Sequence, residues 1–267
     1  MTTASVGQSS ENRVAVTITG RKAAPWGYFF YCELMKILRN PPAVLFGIGF
    51  PTIFFLIFGN TFPLAATSTL AGLAAYGAFV VSFQTFSMSL ATERALGWNK
   101  LLRSTPMTPA LYLGTKLLVI IITGILSLLL LFVVAALNGN VHLSLTTWAA
   151  LLGVMVVGMI PLSLTGIFLG FIGSANLTNV LATFLGLLLS FGSGLFVPLS
   201  IMPAAIQNVA PYLPTYNLGQ LGWIVVGSSY QDSHPFWVHL LVLVGYAAVF
   251  AVLSAWAYIR DENKNFA

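Results

Sequence analysis

The stretch GTKLLVIIITGILSLLLLFVVAAL, residues 114–137, contains no charge from Leu117 onward, and its reading decides the fold. A helix rising about 1.5 Å per residue needs about 20 apolar residues to cross a hydrocarbon core of about 30 Å. Five further runs of this kind lie near 43–60, 70–91, 148–172, 178–199 and 236–259. They are continuous in Leu, Ile, Val, Phe and Ala, whereas a barrel strand alternates over about 10 residues. Composition agrees: 58% of residues are apolar and 6% charged, against roughly a quarter charged in soluble domains. The sequence therefore predicts an all-α membrane protein with six transmembrane helices.

The few charges give the orientation. With the N-terminus in the cytoplasm, six crossings place all 11 Lys and Arg on the inner side, as the positive-inside rule requires. No formal charge occurs between Leu117 and Gln231, and Asp232 is the single external carboxylate. The net charge of +5 is thus explained by topology, and no nucleic-acid partner is implied. Trp26, Tyr28, Tyr31, Trp98, Trp256 and Tyr258 fall at the inner interface; Trp148, Trp223, Tyr230 and Trp237 fall at the outer one, as interface anchors. Residues 1–24 read as a flexible cytoplasmic tail without a signal-peptide pattern, and 25–267 as one transmembrane domain. Cys32 is the only cysteine, which excludes an internal disulfide and a two-cysteine metal or redox motif.

Between the runs, residues 25–42 place Phe30, Leu34, Ile37 and Leu38 at helical spacing, with Glu33, Lys36 and Asn40 on another face. This predicts an N-terminal amphipathic interfacial helix stopped by Pro41 and Pro42. The connection 173–178 can only turn the chain. The external segment 200–235 is apolar and broken by Pro203, Pro211 and Pro214. Its pieces are too short to cross and read as external re-entrant or interfacial helices.

Several chemistries are absent. No Asp, Glu, Lys or Arg lies in the middle of a run, which disfavours a proton-coupled carrier. His142, His234 and His239 all map to the outer side as surface or interfacial residues. Ser193, between two glycines, has no histidine base in reach, because His239 belongs to the outer end of the sixth run; a close helix contact accounts for it. No GxxxxGK[ST] phosphate loop occurs, so nucleotide is not bound in that manner, and energy must come from a partner.

The charges concentrate in 91–116. There, 96–104 places Trp98, Leu101 and Leu102 on one stripe and Asn99, Lys100 and Arg103 on the other, before Pro106. This is a short amphipathic helix parallel to the membrane. A solvated loop obeying the positive-inside rule is the plainer reading of the same residues. Three pieces together resemble the permease subunit of the ABC type-2 transporter family, and look like bacterial drug or antibiotic exporters. They are 38–59, with Arg39 and Pro51; 92–116, with Glu93, Arg94, Gly97, Leu101, Pro106 and Lys116; and the proline-spaced 198–221.

The resemblance implies that 93–106 is a cytoplasmic coupling helix, seated in a groove of a separate ATPase. Glu93 and Arg94 would fix the end of the second transmembrane helix through ion pairs, and Lys100 and Arg103 would face the ATPase. Trp98 departs from the small hydroxyl residue usual after the glycine. The spacing from Glu93 to Gly97 is shorter than in binding-protein-dependent importers, which favours export. The chain would bind no cofactor itself; ATP and Mg would sit in the partner ATPase. The machine would pair two permease chains, identical or different, with two ATPases in the bacterial plasma membrane. Among the neutral groups Ser82, Gln84, Thr85, Ser87, Asn176, Asn179 and Ser193, the candidates for a substrate path are Gln84, Asn176, Asn179 and Ser193. Their lack of charge suits a hydrophobic or amphiphilic cargo. A polysaccharide or lipid-linked glycan exporter, and a stand-alone channel or scaffold, remain alternatives.

Overall fold

The computed structural model describes residues 26–39, 45–61, 66–97 and 109–264. The tail 1–24 and the segment holding Trp98, Lys100, Leu101, Arg103 and Pro106 lie outside the described residues. Nine helices occur among those described, besides two single 3-10 turns at Leu199–Ile201 and Ala210–Tyr212, with no strand. They are α1 (Trp26–Leu38), α2 (a π turn Leu45–Gly49 continuing through Phe50–Thr61), α3 (Ala66–Ala95, with a π segment at Val80–Thr85), α4 (Pro109–Leu137), α5 (Leu145–Ile172), α6 (Ala175–Gly192), α7 (Ala204–Val209), α8 (Pro214–Val226) and α9 (Phe236–Lys264).

Five of them, α3, α4, α5, α6 and α9, are long and apolar enough to cross a membrane. Where a sixth crossing is expected, at 43–60, the described apolar helix is the shorter Gly47–Gly59. The run expected at 178–199 is displaced. Ser174 caps α6 by accepting the Leu177 N–H at 3.4 Å, and the helix ends at Gly192. Gly194 takes φ +78° there. Its N–H reaches Phe191 O at 3.1 Å and the Leu195 N–H reaches Ser190 O at 3.3 Å, a Schellman stop that favours a residue without Cβ.

Helix α5 lies at the centre, against α9, α3 and α8. Small residues allow the close approach: a Cβ on Gly166 would stand 2.9 Å and 3.0 Å from the carbonyl oxygens of Phe83 and Ser82 in the α3 π segment. The segment 200–235 is not a solvated loop. It contains α7, and then α8, whose residues from Pro214 to Trp223 are buried; at 13 residues it spans about 20 Å. Trp223, expected as an interface anchor, is 3% exposed. Its indole N–H donates to Ser68 O at 3.0 Å, so it joins α8 to the start of α3.

Candidate functional site

Charge segregates to one end of this bundle. Glu93 and Arg94, consecutive on the last turn of α3, reach in different directions. Glu93 accepts from the Lys116 ammonium at 2.7 Å through Oε1 and from the Tyr112 hydroxyl at 2.5 Å through Oε2, both on α4. Lys116 also donates to Glu33 Oε2 on α1 at 2.8 Å and lies 5.3 Å above the Tyr112 ring. Lys36 pairs with Glu93 and stands 3.8 Å from Glu33. Two carboxylates thus face two ammonium groups. Lys116 is 3% exposed and Lys36 half-exposed, so the cluster is dry on the α4 side and wet on the α1 side. A buried ion offsets its desolvation only with such matched partners.

Arg94 turns the other way. Its Nε donates to Asp261 Oδ2 of α9 at 3.1 Å, a second nitrogen pairs with Oδ1, and Nη1 donates to Gly170 O at 2.5 Å and Gly173 O at 3.2 Å. The guanidinium carbon sits 5.2 Å from the Phe171 ring centre. The planar fork suits a carboxylate and two carbonyls at once. One dipeptide therefore holds α3 to α1 and α4 on one side, and to the α5–α6 turn and α9 on the other.

Three residues later the chain leaves the helix. Gly97 has φ +76° and its N–H donates to Arg94 O at 3.0 Å. The chain enters the described residues again at Pro109, with Tyr112 and Lys116 following on α4. The two roots of the 97–109 connection are thus bonded to each other through Glu93.

Sequence reasoning did not anticipate Glu33, Lys36, Tyr112 and Asp261 as members of this site. Periodicity puts Glu33 on the polar face of an interfacial helix; it is 7% exposed and turns inward to meet Lys116. Pairing the rare charges of a charge-poor chain with one another is the signal that finds it.

The candidate path residues lie on or beside α6. Gln84 lies in the π segment, half-buried over Gly186, where a Cβ would stand 3.2 Å from its Nε2. Asn179 is half-buried on α6, with a buried Oδ1 lacking a hydrogen-bond partner among the described residues. Asn176 is exposed. Ser193 is buried, bonded to Leu189 O and Thr215, so its hydroxyl is consumed in joining α6 to α8. Ser82 and Ser87 bond carbonyls of their own helix, Ala78 O at 2.6 Å and Gln84 O at 3.1 Å.

The opposite end carries a second polar network and a cavity of about 360 Å³ lined by Phe58, Ser68, Leu73, Leu195, Trp223 and Tyr230 among others. Ser68 and Ser228 share a 2.7 Å hydrogen bond. Asp232 accepts from the Tyr216 hydroxyl at 2.7 Å and the His234 backbone N–H at 2.9 Å. Partial burial opposes its ionisation, but these bonds and the neighbouring histidines hold its carboxyl below the usual range. His239, taken from sequence as a surface or interfacial residue, is instead 2% exposed.

Known proteins bear on this arrangement. "Putative transport permease YvfS" of Bacillus subtilis (strain 168) is 26% identical over 239 residues, covering 87% of this chain and 95% of its own length. Residues 60–256 match the ABC-2 family transporter proteins, an interval that includes the Glu93–Arg94 junction, α8 and most of α9. The chain belongs to the ABC-2 transporter family, as a membrane-spanning permease subunit.

Proposed function

We propose that this permease works with a separate ATPase as an exporter, moving hydrophobic or amphiphilic molecules, of drug, antibiotic or lipid-like character, out of a bacterial cell. The observation that carries the reading is the stapled base of the 97–109 connection. Glu93 ties its two roots together, and Arg94 ties the first root to α9 and the α5–α6 turn. A push on that connection is delivered to five helices at once. ATP-driven closure of two ATPases would supply the push, and two permease chains, identical or different, would change the access of a path between them.

Orientation follows from charge. Every described Lys and Arg lies on or beside the cluster end, while Asp232 stands alone opposite. That supports cytoplasmic termini, with α2 completing six crossings and α8 entering from the outer side. The mostly apolar cavity, relieved by hydroxyls such as Ser68 and Thr69, supports an uncharged or amphiphilic cargo.

Co-purification with the candidate ATPase, followed by ATP-dependent uptake of an apolar dye into inverted vesicles, tests the proposal. Lys100→Glu and Arg103→Glu should each weaken ATPase association and dye uptake while leaving the melting temperature of the permease unchanged. Wild-type association and uptake in both variants would remove the coupling assignment.

A further inference from the structure

At the end of the bundle opposite the ion cluster, His239 on the first turns of α9 lies between two acceptors. Its Nδ1 is 2.9 Å from Asn217 Oδ1 on α8, and its Nε2 is 3.2 Å from Asp232 Oδ1. The Asn217 amide is oriented by its own bonds, since Nδ2 donates to Pro211 O at 2.9 Å and Leu213 O at 2.8 Å. Turning it over would set an oxygen against two carbonyls, so its oxygen must face the imidazole. Asp232 offers only oxygen. A neutral imidazole has one N–H and one lone pair, and either tautomer sets that lone pair against an oxygen, with the ring itself 2% exposed. Only a ring with hydrogen on both nitrogens satisfies both contacts.

Two other titratable groups face the ring, and both bind Asp232: the His234 Nδ1 stands 3.1 Å and the Tyr216 hydroxyl 2.7 Å from its Oδ2. Tyr216 on α8 and His234 on the connection lie with ring centres 6.2 Å from that of His239. Gln220 of α8 is neutral and binds the Asp232 N–H at 2.9 Å, and α5, packed along α9, brings no acidic or basic side chain. Asp232 is thus the one carboxylate facing the ring among the described residues, and it is shared with His234.

We propose that His239 is a proton-binding site that latches the 227–235 connection and the start of α9 onto α8. With both nitrogens protonated it bridges Asn217 and Asp232; loss of one proton breaks one of the two contacts and loosens the connection, which the Tyr216–Asp232, Gln220–Asp232 and Ser68–Ser228 bonds still hold in part. Closure is therefore favoured while the ring carries hydrogen on both nitrogens and weakens when it carries one. At the far acid side the latch fails again, once Asp232 is protonated.

The test uses the full chain in lipid nanodiscs, with ¹⁵N-labelled histidine spectra and amide hydrogen exchange read across pH. The chain has 3 histidines, so single His→Gln variants assign each signal. The expected result is a doubly protonated His239 at acid pH. As it loses a proton, the amides of 228–234 should exchange at least about tenfold faster after correction for intrinsic rates, the loss of one charge-assisted hydrogen bond. His239→Gln should abolish that pH dependence. A single-tautomer signal throughout, protection that ignores pH in the wild type, or the same pH dependence in His239→Gln would each overturn the proposal. None of these readings requires transport, so they are independent of the exporter assignment.

Discussion

Lys116→Met is the most informative single perturbation of the junction. The substitution keeps most of the aliphatic stem and removes the one ammonium that touches both buried carboxylates, at 2.8 Å and 2.7 Å. Lys36, half-exposed, remains beside Glu93 but stands 3.8 Å from Glu33, so Glu33 loses its close partner. Removing one member of a buried pair costs about 3–5 kcal/mol. At roughly 2–4 °C per kcal/mol for a chain of this size, the apparent Tm should fall by about 6–20 °C. The assay is thermal unfolding in detergent, followed by tryptophan fluorescence. Lys116→Met combined with Glu33→Gln leaves one carboxylate and one ammonium, restores neutrality, and should recover at least half of the loss. A fall of less than about 2 °C in the single variant, or a double variant no better than the single, would refute the account of the cluster as a balanced buried set.

Other changes should behave as follows. Arg94→Lys keeps the charge but not the fork, so Asp261 or the Gly170 and Gly173 carbonyls lose a donor; unfolding experiments should show a cost of about 1–3 kcal/mol. Gly166→Ala drives a methyl against the Phe83 and Ser82 carbonyls at 2.9 Å and 3.0 Å and should cost about 1–3 kcal/mol. Gly153→Ala, with nothing within 4 Å, is its neutral control in the same melting assay. Trp223→Phe removes the bond to Ser68 O and should lower Tm by several degrees. Because the Asp232 carboxyl is held below its usual range, its stabilising contribution is present above the ordinary carboxylate titration and disappears as pH falls through the lowered native value. An acid melting series should show that slope in the wild type and not in Asp232→Asn.

Much of the fold is legible in hydropathy because a long apolar run in a charge-poor chain has few other places to go. The sequence placed α4, α5 and α9 almost where they lie, and the Gly97 break where α3 ends. It failed where the deciding contact comes from a distant element. Periodicity puts Glu33 on a polar face of α1, but only the approach of α4 reveals Lys116 waiting on the other side. The same holds for Trp223, an interface anchor by type and a buried donor by position, and for His239, whose two acceptors come from α8 and from the connection before α9. The end of α6 was misjudged for a local reason: 193–199 is apolar enough to continue a helix, and the left-handed Gly194 stops it.

The two polar ends have to communicate by packing if they communicate at all. His239 and Asp261 share α9 and stand about 33 Å apart along its axis at 1.5 Å per residue. At an effective dielectric of about 20, unit charges at that separation interact by only about 0.5 kcal/mol, before screening. Displacement of the Glu93–Arg94 junction therefore cannot reach the His239 latch as field. It can reach it as rigid movement, because Arg94 grips α9 at Asp261 and α3 carries Ser68, at its other end, against α8 and Ser228. Both helices run the height of the bundle with α5 between them, and Gly166 sets how closely α5 meets the π segment of α3. A bulkier residue at Gly166 should thus change how the two ends move together, even though it touches neither.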